Sequence, residues 1–267
     1  MAWYQPQTPE EEAEFFASLR LRNGTFKTTA HRRLDGLNAV VSDHWRQSGF
    51  RPESILDIGV SSGTSTVEWL EAMRRDGLDP RFVGTDLTLW AELISIGPIY
   101  QVLTSSGNVL RHAVFGFDAR TWIEPKDYFT GYAAAIYVAN IVAFFGHRLP
   151  ILKRKLPLLT QAALNSSVEW LYDDILSKPT SYMLGKFDVV RAANILNKGY
   201  FDRQSVAIAV QNVRERLSGP GSYFIVNRTH SDGSNHGTIF EMGSDGRFST
   251  RCSIGQGSEI SDIVTSS

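Results

Sequence analysis

SILDIGVSSGTSTVEWLEAM, residues 54–73, reads as a short buried strand, a tight turn and an amphipathic helix. Ile55-Leu56-Asp57-Ile58 is the strand, and the turn runs from Gly59 to Gly63. Ser65 and Glu68 stand at capping-box spacing, and Asp76-Gly77 ends the helix. A dinucleotide fingerprint needs three glycines, so that backbone can approach a pyrophosphate and the helix can pack close on the strand. Ser61 stands where the second would be, so that fingerprint fails. Asp57, inside the strand end, is expected to repel a pyrophosphate and to suit a ligand that is cationic or offers amino or hydroxyl hydrogens.

A second strand, Arg81-Phe82-Val83-Gly84-Thr85-Asp86, follows at once, and strand–helix–strand with short loops is the unit of a parallel sheet. Asp86 lies 23 residues past Gly63, where a carboxylate accepts two hydrogen bonds from a ribose diol. The N-terminus of the helix attracts an anion such as a carboxylate. Amino group, carboxylate, sulfonium and ribose together describe S-adenosylmethionine.

Outward from this unit the pattern is uneven. Thr8-Pro9-Glu10-Glu11-Glu12 opens a helix that Asn23-Gly24 has broken, and Leu37, Val40, Val41 and Trp45 mark a second. Residues 100–117 read as a hairpin turning at Gly107-Asn108. An apolar run of 14 residues, 132–145, precedes a basic segment, 147–155. Alternation resumes at 168–174 and 187–193, then a helix at 203–217, a strand at 222–227 and a terminal hairpin, 237–242 and 247–254, across Ser244-Asp245-Gly246.

The run Asp57-Ile58-Gly59-Val60-Ser61-Ser62-Gly63 resembles the first motif of class I S-adenosylmethionine-dependent methyltransferases, D-x-G-x-G-x-G, with serine for the middle glycine. Asp86, followed by Leu87, matches the acid ending their second strand. Asp174-Ile175 looks like the pair that meets the adenine amino group, with Asp173 an equal candidate for the acid. The run 187–196 looks like their fourth strand and its loop, with Ala193 and Asn194 at the tip, and 219–226 is similar to the turn into the fifth. The hairpin suits their sixth and antiparallel seventh strands. Chemotaxis-receptor methyltransferases are faintly similar, but Ala192 and Ala193 precede Asn194 where that family has cysteine and arginine, so its substrate does not transfer.

The resemblance implies an α/β fold with a Rossmann-like seven-stranded sheet, mostly parallel with an antiparallel C-terminal hairpin, and an insertion after the second strand. The domains expected are an N-terminal helical segment at 1–50, a cofactor domain at 51–87 and 168–267, and an inserted lid or substrate subdomain at 88–167. Its implied cofactor is S-adenosylmethionine, held by Asp57, Gly59, Val60, Ser61, Ser62, Gly63, Asp86, Leu87, Asp173 or Asp174, Ile175, Ala193 and Asn194. The implied activity is methyl transfer to oxygen, nitrogen or carboxyl of a small-molecule or lipid-like acceptor. A nicotinamide-dependent oxidoreductase and a non-catalytic cofactor-binding scaffold are the rivals.

An acceptor that must lose a proton needs a base, for which His230, His236 and His147 are the candidates. Asp232, His236 and Glu241 are too loosely spaced for a metal site, and none is expected. A formal charge of −1 and the absence of an asparagine–proline–proline–aromatic loop argue against nucleic acid. The 88-position separation of Asp174 from Asp86 far exceeds a sheet crossover; the uses of the segment between them are a lid, extra packing or a homodimer contact. The apolar-then-basic stretch 132–155 also offers a peripheral membrane contact. One cysteine, Cys252, and no basic-then-apolar start lead to the expectation of a cytoplasmic protein.

Overall fold

The computed structural model describes residues 8–19, 30–96, 99–114, 117–119, 121–146, 148–149 and 153–267; the Asn23-Gly24 break and His147 lie outside them. In chain order the elements are α1 (Pro9–Ser18), α2 (Asp35–Ser48), β1 (Ser54–Ile58), α3 (Thr64–Arg75), β2 (Arg81–Asp86), β3 (Trp90–Ile96), β4 (Ile99–Leu103), β5 (Val109–Val114), β6 (Phe117–Ala119), α4 (Asp127–Thr130), α5 (Tyr132–Gly146), β7 (Lys153–Pro157), α6 (Gln161–Leu164), β8 (Glu169–Tyr172), β9 (Val189–Ala193), α7 (Arg203–Arg216), β10 (Tyr223–Thr229), β11 (Asn235–Met242), β12 (Phe248–Ile254) and α8 (Ser261–Ser266).

These form two compact units, 30–87 with 161–267, and 1–29 with 88–160. The first holds a seven-stranded sheet ordered β12-β11-β10-β9-β1-β2-β8. β8, β2, β1, β9 and β10 are mutually parallel, β11 is antiparallel to β10, and β12 is antiparallel to β11. The strand that opposes the rest is thus the sixth, and the seventh turns back to run with the first five, unlike the order expected for the hairpin. Each strand of the sheet interior is apolar on both faces because helices cover both. On one face Leu37, Val41 and Trp45 of α2 and Trp69, Leu70 and Met73 of α3 meet Ile55, Phe82, Val189 and Ile225. On the other, Val206, Val210 and Val213 of α7 and Val264 of α8 meet Leu56, Val190, Phe224 and Phe240.

The second unit is an antiparallel sheet, β6-β5-β4-β3-β7. The hairpin read at 100–117 is β4 and β5, but β3 and β7 join it from stretches without a clear pattern. β7 is a basic edge strand, and charge on an edge hides the alternation that marks a strand. Phe15, Phe16 and Leu19 at α1 pack on Ala91, Leu93, Val102 and Leu110, which assigns α1 to this unit and α2 to the other. The sequence instead groups 1–50 as one segment and carries the insertion to 167.

Candidate functional site

The chain leaves β1 for β2 on one side and returns to β9 on the other, so β1 and β9 are neighbours at a topological switch point. Ligands of open α/β sheets bind beyond the carboxyl ends of the strands at such a point. The 59–63 turn, Asp86, Asp174 and Asn194 all follow the carboxyl ends of mutually parallel strands.

The turn alternates in hand. Gly59, Ser61 and Gly63 have φ of 73°, 58° and 83°, all left-handed. Serine in that region costs roughly 1 kcal/mol relative to glycine, so the serine at the middle position keeps the glycine's conformation. The Ser61 amide donates to Asp86 Oδ2 at 2.8 Å. Gly59 and Val60 amides both donate to the Thr85 carbonyl, at 2.7 and 3.1 Å, and the Gly63 amide to the Val60 carbonyl at 2.9 Å. Four of the amides that a pyrophosphate would use are thereby committed within the protein. A Cβ on Gly59 would stand 2.3 Å from Ile195 Cγ2, so the loop after β9 closes directly on the turn and excludes a side chain there.

Asp57 is not presented to a ligand. Its side chain is buried, with Arg191 Nε donating to Oδ1 at 2.9 Å and Nη2 to Oδ2 at 2.6 Å. Thr66 Oγ1 donates to Oδ2 at 2.7 Å. The guanidinium also donates to Asn38 Oδ1 at 3.0 Å and lies 3.9 Å from the Trp69 ring centroid. Asp57 thus ties β1 to β9 and α3 beneath the turn. The repulsion of a pyrophosphate expected from its charge is cancelled by Arg191; the committed amides carry that exclusion instead. Thr66 is a partner of this network.

Asp173 has the same fate. Its carboxylate takes Arg216 Nη2 at 2.9 Å, with both side chains buried, so of the two candidate acids it serves the core. Asp174 is half-buried and spends Oδ1 on the Leu176 amide at 2.9 Å, an Asx turn that holds the loop after β8. Ile175 is buried and its carbonyl accepts from Asn212 Nδ2. Leu87 is exposed, Val60 and Ser62 are buried, and Ala193 ends β9. Asn194, left-handed at φ 65°, accepts the Thr229 amide through Oδ1 at 2.6 Å and so ties the tip of β9 to that of β10.

Glu68 does not complete a capping box. Gly63 is the residue before α3, and Glu68 Oε1 accepts the Arg32 amide at 2.9 Å. This draws the residues before α2 onto α3. Arg33, half-buried, donates through Nε to Ser65 Oγ at 3.3 Å at the helix start. Burial, then repulsion from Arg191, push its pKa down, against the opposing pull of Asp57 and Glu68. The Thr64, Ser65 and Thr66 amides in the same first turn have no acceptor within the helix. The sequence reading missed Arg33; the His31-Arg32-Arg33 run before α2 is the signal that marks it.

His230 and His236 flank the β10–β11 turn with ring centroids 4.4 Å apart. β10 lies two strands from β1, roughly 10 Å away. Among the described residues no cluster of histidine, cysteine or carboxylates has the makings of a metal site.

The fold is Rossmann-like, with a mostly parallel seven-stranded sheet that ends in an antiparallel hairpin. No family model and no curated protein matches the chain. Solved structures similar to it include the N-methyltransferase NodS from Bradyrhizobium japonicum WM9 with S-adenosyl-l-homocysteine, at 14% identity and TM-score 0.36 over 76% of this chain and 65% of that one. The PH0226 protein from Pyrococcus horikoshii OT3 matches at 13% and 0.37 over 87% and 76%. The plantazolicin methyltransferase BpumL, in complex with a pentazolic desmethylPZN analog and SAH, matches at 15% and 0.37 over 75% and 48%. The chain thus spans less than two thirds of the length of NodS and BpumL. At these identities and TM-scores, the chemistry of this chain is left to its own residues.

Proposed function

We propose that this chain is an S-adenosylmethionine-dependent methyltransferase acting on a small-molecule or lipid-like acceptor. The observation that carries the reading is the state of the 59–63 turn. The Gly59, Val60, Ser61 and Gly63 amides are committed to Thr85, Asp86 and Val60, which disfavours a pyrophosphate in the turn. What remains around it is a helix start beside the guanidinium of Arg33, a pairing suited to a carboxylate. Beside it is the acid Asp86 at the tip of β2, suited to a ribose diol. Asp174 stands beyond the carboxyl end of β8, one strand further out, on the side where an adenine amino group would be met. This donor and acceptor set fits an amino-acid-bearing nucleoside.

Bound there, the cofactor would supply an activated methyl group that leaves with its bond to sulfur broken and the electron pair retained on sulfur. The protein's part is alignment of donor and acceptor and exclusion of water. An acceptor that is a hydroxyl or ammonium must also lose a proton, and His230 and His236 offer imidazoles at the β10 end for it.

The nicotinamide reading is disfavoured by the same committed amides. Titration of the protein with S-adenosylmethionine, S-adenosylhomocysteine and NAD separates the two readings. Binding of the first two without the third is expected; binding of NAD alone would reverse the assignment. Transfer of label from methyl-labelled cofactor to a small acceptor would then exclude a scaffold role.

A further inference from the structure

The sheet of the inserted unit is covered by α1 on one face and by α5 on the other. α5 turns its small side chains inward: Ala133, Ala139, Ala143 and Gly146 are buried together with Ile136. A Cβ on Gly146 would come within 2.9 Å of Ile94 Cγ2, so the helix lies close on β3. Its bulky residues consequently point away from the sheet. Tyr137, Val138, Ile141, Phe144 and Phe145 are each more than half exposed, and Phe129 of the adjoining α4 is 92% exposed. α5 contains no charged residue, and Asn140 is the one amide on its outward side. Surface helices ordinarily turn charges outward, and isolated apolar residues on a surface need no explanation. A contiguous apolar face does, because it marks an interaction site.

The charges around this face say what covers it. Between Asp127 and Glu169 the chain has no carboxylate, yet it carries Arg148, Lys153, Arg154 and Lys155. The Arg148 guanidinium lies 3.5 Å from the Phe144 ring centroid. Lys155 Nζ lies 4.0 Å from that of Trp90, itself an exposed aromatic. The pairings Ile94↔Lys153 and Glu92↔Lys155 put both lysines on the sheet face that α5 covers, since Ile94 packs with Ala143. Glu92 answers Lys153 at 3.0 Å, which leaves Arg148 and Lys155 as rim cations lying on aromatic rings. Aromatic and aliphatic side chains outward, cations at the rim and no opposing acids on the helix complement hydrocarbon below and anionic headgroups above. At 15 residues α5 is about 22 Å long, too short to cross a hydrocarbon core of about 30 Å. No described helix is long and apolar enough to do so. The helix suits the plane of the interface instead.

We propose that the outward face of α4 and α5, rimmed by Arg148 and Lys155, docks on an anionic bilayer surface. This inference does not depend on the methyl-transfer reading. It is tested by co-sedimentation of the full chain with vesicles of phosphatidylcholine alone and of phosphatidylcholine with phosphatidylserine. Binding is expected to the second, to weaken as salt is raised, and to fall about tenfold or more in the double variant Phe129→Ser/Phe145→Ser. Both side chains are exposed, so the variant should keep the native circular dichroism and melting temperature. Arg148→Gln/Lys155→Gln should remove the preference for phosphatidylserine. No sedimentation with either vesicle, or sedimentation indifferent to the phenylalanine variant, overturns the proposal. So does a protein that is dimeric in sedimentation equilibrium and becomes monomeric in that variant, since the face would then be buried between two copies.

Discussion

Arg191 and Asp57 carry the sharpest consequence of the structure. Both side chains are almost wholly buried, and Arg191 makes two charged hydrogen bonds to the carboxylate. Removing one partner of such a pair leaves an uncompensated buried charge, which costs about 3–5 kcal/mol. Arg191→Met leaves Asp57 with Thr66 Oγ1 as its remaining hydrogen-bond donor among the described side chains, so a loss of that size is expected. Asp57→Asn should cost a similar amount, because it strands the guanidinium between Asn38, the Ser65 carbonyl and the Trp69 ring. The double variant Asp57→Asn/Arg191→Met removes both charges, so its loss should fall short of the sum of the single losses by about 2 kcal/mol. Urea unfolding followed by tryptophan fluorescence reads this cycle, since Trp69 lies under the guanidinium. Single losses below about 1 kcal/mol, or simple additivity, would refute a buried pair and return Asp57 to the list of ligand contacts.

Three other outcomes follow from single positions. Gly59→Ala adds a left-handed φ penalty and a 2.3 Å approach to Ile195, so it should destabilise the fold and weaken cofactor binding, whereas Ser61→Gly should preserve both; thermal melts with and without S-adenosylhomocysteine check this. Burial holds the His112 imidazole down to about 4, below its unfolded value near 6.5. Its contribution is therefore complete above about pH 6.5 and lost as pH falls toward 4, by up to about 3 kcal/mol. His112→Gln should flatten that part of the stability curve, and an unchanged acid slope would show that His112 is not the group responsible. Arg216→Met should destabilise through the stranded Asp173, while Asp174→Ala should instead weaken adenine recognition; titration and urea unfolding of the two variants separate those effects.

Much of the sheet domain is legible in the sequence because local pattern and tertiary role agree there. The strands at β1, β2, β9 and β10 are buried runs between turn signals, and the glycines of the 59–63 turn announce its left-handed positions. The role of Asp57 is not legible, because its partner Arg191 lies 134 residues away and nothing local pairs them. Asp173 and Asp174 are indistinguishable for the same reason, as Arg216 is 43 residues on. The assignment of α1 to the inserted unit is equally hidden, since an apolar helix face does not name the surface it will meet. The apolar run 132–145 has a third lesson. Its lack of charge suits burial as well as an interface, and only the inward placement of its alanines shows that one face stays open.

We propose that S-adenosylmethionine binds beside Asp86. Isothermal titration of the full chain with S-adenosylhomocysteine, repeated on Asp86→Ala, tests it most directly. Losing two hydrogen bonds from a carboxylate to a ribose diol should cost roughly 2–3 kcal/mol, a weakening of about 30- to 150-fold, against one saturable site in the parent. No heat from the parent protein, or equal affinity in the two, would contradict the account.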